Sequence, residues 1–80
     1  MELQTDDRGN HYIETDRPLN EKTRVTYVPY QEWADQTVIR VHVREASGNL
    51  RFGPEIPMDQ VGDFVASIID LLSKKAQDKS

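Results

Sequence analysis

Arg24, Arg40, Arg44 and Arg51 are the only basic residues between Thr23 and Gly53, and no lysine accompanies them. Arginine carries a planar fork that grips phosphate bidentately or stacks on a flat ring, where lysine offers only a point charge. His42 lies between two of these arginines, and Trp33, the one tryptophan, has Tyr30 close by. Cations interleaved with aromatics suit a groove that tracks a phosphate backbone and stacks its bases. They do not suit covalent catalysis. Ser47, Ser67 and Ser80 have no base nearby in the sequence, Asp6-Asp7 are adjacent and do not converge on one atom, and no glycine-rich phosphate loop is present. His11 and His42 stand in separate segments without neighbouring ligands, so neither a metal site nor a cofactor is expected.

The elements that must position this set are short. Thr23–Val28 is rich in β-branched and aromatic residues, and Thr37–Arg44 alternates along its whole length. In the second of these strands Ile39, Val41 and Val43 point one way and Arg40, His42 and Arg44 the other. Glu45-Ala46-Ser47-Gly48-Asn49 has turn chemistry and leads into a short strand, Leu50-Arg51-Phe52, which Gly53-Pro54 ends. Glu55–Met58 reads as extended, because proline restricts the residue before it. Asp59 is suited to cap a helix in which Val61, Phe64, Val65, Ile68, Leu71 and Leu72 form one apolar face, with Lys74 and Lys75 in its last turn. Ile69 widens that face to one side, as in a helix that packs on a second subunit. The expected interface residues are Ile68, Ile69 and Leu72.

The fold class is therefore α+β: an antiparallel curved sheet of about four strands followed by one C-terminal helix. If the apolar sets of all three strands meet the helix, then Arg24, Arg40, Arg44 and Arg51, with His42 among them, share the open face of the sheet. Trp33 is the stacking candidate beside them.

Composition narrows the partners. The chain has 80 residues, 10 basic and 14 acidic, for a net charge of −4, which argues against binding a polyanion by bulk charge. The charge is uneven: Met1–Lys22 is net −3, Thr23–Gly53 net +1 and Pro54–Ser80 net −2. Residues 1–20 are expected to be an acidic, mostly disordered tail, 21–75 the single domain, and 76–80 a disordered terminus. Cysteine is absent, which excludes disulfides and thiolate sites. No apolar run approaches the ~20 residues of a membrane helix, and the amino terminus does not read as a signal peptide. An intracellular protein is expected, in cytoplasm or nucleoid for a prokaryotic or viral source and in the nucleus for a eukaryotic one.

Arg24-Val25-Thr26-Tyr27-Val28-Pro29-Tyr30-Gln31-Glu32-Trp33, Val38–Glu45, Gly48-Asn49-Leu50-Arg51 and Ile56-Pro57-Met58-Asp59 together resemble the single-stranded-DNA-binding transcriptional coactivators of the positive-cofactor-four type. The resemblance covers about Thr23–Lys74. It implies a homodimer built through the helices, with a β-surface that holds unpaired DNA without reading its sequence. It also implies DNA-contacting roles for Arg24, Trp33, Arg44 and Arg51. The chain departs from the pattern at Gln31, at Ala46-Ser47 and at Pro54-Glu55. The expected function is non-enzymatic binding of single-stranded DNA, or RNA, in transcription coactivation, replication or recombination, alongside transcription or replication proteins and no membrane. The alternative is an adaptor that offers the same arginine face to an acidic protein segment or to its own tail.

Overall fold

The computed structural model describes residues 1–77. Five strands form one antiparallel sheet in chain order: β1 (Gln4–Thr5), β2 (His11–Asp16), β3 (Lys22–Gln31), β4 (Gln36–Arg44) and β5 (Leu50–Pro57). A single helix, α1 (Met58–Gln77), follows, and a one-turn 3-10 helix at Pro18–Asn20 joins β2 to β3. The α+β class and the order of sheet then helix follow the sequence reading.

The amino-terminal segment departs from it. Residues expected to be disordered supply β1 and β2, and Tyr12, Glu14 and Asp16 pair with Thr26, Arg24 and Lys22 of β3. β3 would otherwise be an edge strand with a row of unpaired amides and carbonyls, and the acidic strand covers that edge. Two hairpin turns use one device. Asp6-Asp7-Arg8-Gly9-Asn10 and Glu45-Ala46-Ser47-Gly48-Asn49 each bond the amide of the glycine back to the carbonyl of the acid, at 3.0 and 2.8 Å. Gly9 and Gly48 adopt φ of 85° and 97°, the left-handed region that glycine enters without strain. At the other terminus α1 continues through Gln77, so residues 76 and 77 are helical, and residues 78–80 lie outside the described residues.

Pairing register divides the side chains into two faces. Arg24 opposes His42, Thr26 opposes Arg40 and Val28 opposes Val38, so these six share what we call the polar face. Val25, Tyr27, Ile39 and Val41 occupy the opposite, apolar face together with Ile13. β5 carries a bulge. Phe52 opposes His42 while Glu55 opposes Arg40, so two residues of β5, Gly53 and Pro54, face one of β4, Val41. Gly53 is needed there, because a Cβ on it would lie 2.7 Å from the carbonyl oxygen of Val41. The bulge keeps Glu55 against Arg40 and returns Ile56 to the apolar face opposite Ile39.

Little of the chain is buried. Among the described residues Val28 and Val38 are the only buried aliphatic side chains, and they lie on the polar-face side at the end of the sheet where α1 begins. The apolar face is not covered by α1, contrary to the sequence expectation. The helix leaves from the end of β5, packs against β4 and β5, and among the described residues buries no side chain. Its start is also two positions earlier than expected: Met58 is helical, Asp59 lies inside the first turn, and the amide of Asp59 donates to Oε1 of Gln36 at 2.9 Å. A side chain from β4 thus takes up one of the four amides that a helix start leaves unsatisfied. Among the described residues no helix is long and apolar enough to cross a membrane.

Candidate nucleic-acid interface

The polar face gathers Arg24, Arg40, His42 and Arg44, as alternation along β3 and β4 requires. Arg51 is not among them. It opposes Val43, on the apolar side, and pairs there with Glu45 at 3.0 Å and Glu21 at 3.5 Å. The expectation fails because the five-residue turn sets Leu50 opposite Arg44 and Phe52 opposite His42. Apolar residues of β5 therefore sit among the cations, and the intervening arginine faces away.

The face is also not purely basic. Glu14 of β2 accepts from Nε of Arg24 at 2.8 Å and makes a two-point pair with Arg44, from Nε at 2.9 Å and Nη2 at 3.0 Å. Glu55 accepts from Nε of Arg40 at 2.5 Å. The side chain of Glu14 is only 9% exposed. The Arg44 bond and then Arg24 lower its carboxyl pKa from 4.5 to about 2, against the opposing effect of burial. Arg24 and Arg40 nevertheless each give only Nε to these carboxylates, so among the described residues their Nη groups have no protein acceptor.

Three rings complete the face. The guanidinium of Arg24 lies 3.9 Å above the ring of Tyr12, close enough for a cation–π contact. Phe52 is 76% exposed and stands 5.2 Å, centroid to centroid, from the ring of His42. Nδ1 of His42 is buried with no hydrogen-bond partner. Burial, and then the nearby charges of Arg40 and Arg24, push the His42 pKa below its ordinary value, so the ring is neutral near pH 7.

The β1–β2 turn closes this region. Asp6, Asp7, Arg8 and Asn10 line a cavity of about 270 Å³ together with Arg24, Thr26, Arg40, His42, Leu50 and Phe52 of the polar face. Asp6 holds the turn, its Oδ1 accepting from the amides of Arg8 and Asn10, both at 2.9 Å.

Trp33 lies in the β3–β4 turn rather than on a strand, and is 61% exposed. Tyr30 beside it is also exposed, and its hydroxyl donates to Asp35 at 2.6 Å, which raises its pKa. A core role for Trp33 is thereby excluded in the single chain. Phe52 and Tyr12 were missed as polar-face aromatics. The signal for Phe52 was the length of the turn, since five residues between Arg44 and Leu50 place those two opposite each other. For Tyr12 the alternation His11–Asp16 was readable, but its strand needed the partner β3.

The interface residues read from the helix, Ile68, Ile69 and Leu72, are 45%, 62% and 66% exposed. Phe64, Val65 and Leu71 are uncovered beside them. On the sheet, Val25 and Tyr27 are exposed and border an almost wholly apolar groove with Leu3, Ile13 and Ile39. Compared with known proteins, the chain matches no family model, no curated protein and no solved structure.

Proposed function

We propose that the chain binds single-stranded nucleic acid, with DNA as the leading substrate, on the polar face of the sheet and as a homodimer. The observation that carries this reading is the convergence of Arg24, Arg40 and Arg44 with the rings of Tyr12, His42 and Phe52 on one surface. Backbone phosphates meet the Nη groups of Arg24 and Arg40, and exchange with Glu14 for Arg44. The strand's bases stack on exposed rings, with Trp33 extending the path beyond the sheet. No residue is assigned a catalytic role, and the process served is transcription, replication or recombination.

The dimer rests on what the single chain leaves open. An apolar sheet face and an apolar helix stripe both lack a covering layer within one copy. A 20-residue helix is about 30 Å long, enough to cross a sheet. Two copies that exchange such surfaces around a two-fold axis bury both at once, and a chain of this size gains much of its stability from that burial.

Titrating a fluorescent oligo-dT at two salt concentrations tests the binding. The affinity is expected to fall with salt by about 0.7 log units per decade for each phosphate neutralised. Absence of salt-sensitive binding at roughly tens of micromolar protein rejects it.

One observation favours a second reading, an adaptor for an acidic protein segment. The polar face already accommodates carboxylates, with Glu14 of the amino-terminal segment bridging Arg24 and Arg44. An acidic peptide that displaces bound oligo-dT at equal concentration supports that reading. A peptide that fails to compete removes it.

A further inference from the structure

The cavity under the β1–β2 turn is of mixed charge and does not single out a phosphate. Asp6 and Asp7 both line it beside Arg8, and its other two arginines are already paired through Nε, Arg24 with Glu14 and Arg40 with Glu55. An anion entering there meets the repulsion of both turn carboxylates as well as the attraction of Arg8. The cavity does suit a neutral, flat and polar-edged group. Its apolar wall is Leu50 and the exposed ring of Phe52, and it is bordered by His42, whose Nδ1 is buried without a hydrogen-bond partner. A polar atom buried without a hydrogen bond is costly, so a ligand that supplies one is favoured at that point. Neutral imidazole can donate or accept at Nδ1 according to its tautomer, and the turn carboxylates accept N–H groups.

We propose that this cavity receives one unpaired nucleobase, stacked on Phe52, with its hydrogen-bonding edge turned toward His42 and the carboxylates of Asp6 and Asp7. The inference rests on the single-strand reading above and names the part of the strand that this cavity takes. It also gives that reading a physical basis for rejecting duplex. The edge that His42 and the aspartates address is the one a base uses to pair, and a paired base cannot present it. Phosphates flanking the inserted base fall outside the turn, toward the Nη groups of Arg24 and Arg40.

Two measurements test it together. The first compares a base-bearing 12-mer with an abasic 12-mer of equal length and phosphate count, on the full chain and on Phe52→Ala. Phe52 is mostly exposed, so the substitution leaves the fold intact. The full chain is expected to prefer the base-bearing strand by about 10-fold or more, in the range of one stacked base, and Phe52→Ala is expected to lose most of that preference. The second follows the ring resonances of His42 by NMR during addition of uncharged cytidine or thymidine, with ribose 5-phosphate as the phosphate-only probe. The nucleosides are expected to shift His42 and the sugar phosphate is not.

If both 12-mers bind equally, or if Phe52→Ala keeps the full preference, the cavity does not hold a base while strand binding stands. If nucleosides leave His42 unmoved, the proposal falls by an independent route. If neither 12-mer binds yet nucleosides shift His42, the cavity is a nucleobase site and the single-strand reading is the part that fails.

Discussion

The two faces of the sheet are finished to different degrees. On the polar face each arginine has a carboxylate partner within the chain: Glu14 holds Arg24 and Arg44, and Glu55 holds Arg40. On the apolar face, and along α1, large aliphatic and aromatic side chains stand open, from Val25 and Tyr27 to Leu71 and Leu72. The contrast separates two kinds of association. Apolar surface on the order of a whole helix stripe calls for permanent cover, since each Å² withheld from water contributes roughly 25 cal/mol. Paired arginines suit an exchangeable ligand, because a phosphate replaces a carboxylate at little net change in hydrogen bonding. In the proposed reading one face builds the assembly and the other uses it.

The largest expected effect comes from breaking the apolar side. Ile68→Asp combined with Leu72→Asp places two charges in the proposed interface, and burial of an unpaired charge is strongly destabilising. Sedimentation is expected to show loss of the dimer, with a melting temperature lower by about 10 °C or more. A double variant that sediments and melts like the parent removes the helix from any interface.

Next in size is the loss of a stacking ring. Trp33→Ala is expected to weaken oligonucleotide binding by about 1–3 kcal/mol if a base stacks there. Circular dichroism should remain unchanged, since Trp33 is exposed in the β3–β4 turn. Unchanged affinity would confine the stacking to the sheet, at Tyr12 and Phe52.

Glu14→Gln sharpens the comparison from the polar side. It releases Arg24 and Arg44 for phosphate, so affinity rises and the salt dependence steepens by up to about 1.4 log units per decade for two added contacts. Weaker binding in this variant would mean that Glu14 organises the arginines for the ligand instead of competing with it.

The same residue gives a pH dependence. Its folded pKa of about 2 lies below the ordinary value of 4.5, so its contribution to stability is present above pH 4.5 and is lost as pH falls toward 2. Urea midpoints taken between pH 5 and pH 2.5 are expected to decline, and Glu14→Gln should decline less. Parallel declines would assign the acid sensitivity to other carboxylates. The smallest expected effect is at Asp16, whose pairing with Lys22 is exposed to solvent and screened. Asp16→Asn should leave the melting temperature unchanged within error.

Much of this arrangement could be read from residue types alone. Alternation from Val38 to Arg44 and the periodic stripe from Val61 to Leu72 found β4 and α1, because each pattern has a single period and needs no knowledge of its partners. β2 resisted because His11–Asp16 has only Ile13 as an aliphatic anchor, so its place depends on the open edge of β3. Counter-charges resisted for the same reason: Glu14 is 30 residues from Arg44 in sequence, and pairing alone unites them. Arg51 was misplaced because an apolar residue was assumed to seek the apolar face. Turn length decides that parity, and in β5 the bulge at Gly53-Pro54 resets it. The cover of the sheet by α1 failed as an expectation because a helix that starts where β5 ends can also point away from its own sheet.

Sedimentation velocity on labelled single strand and on duplex of the same sequence, each mixed with the full chain at low and high salt, tests the central claim most directly. Expected is a complex of two chains with the single strand that dissociates as salt rises, with the duplex sedimenting alone. A single strand that sediments as free oligonucleotide at every protein concentration and at both salts would contradict it.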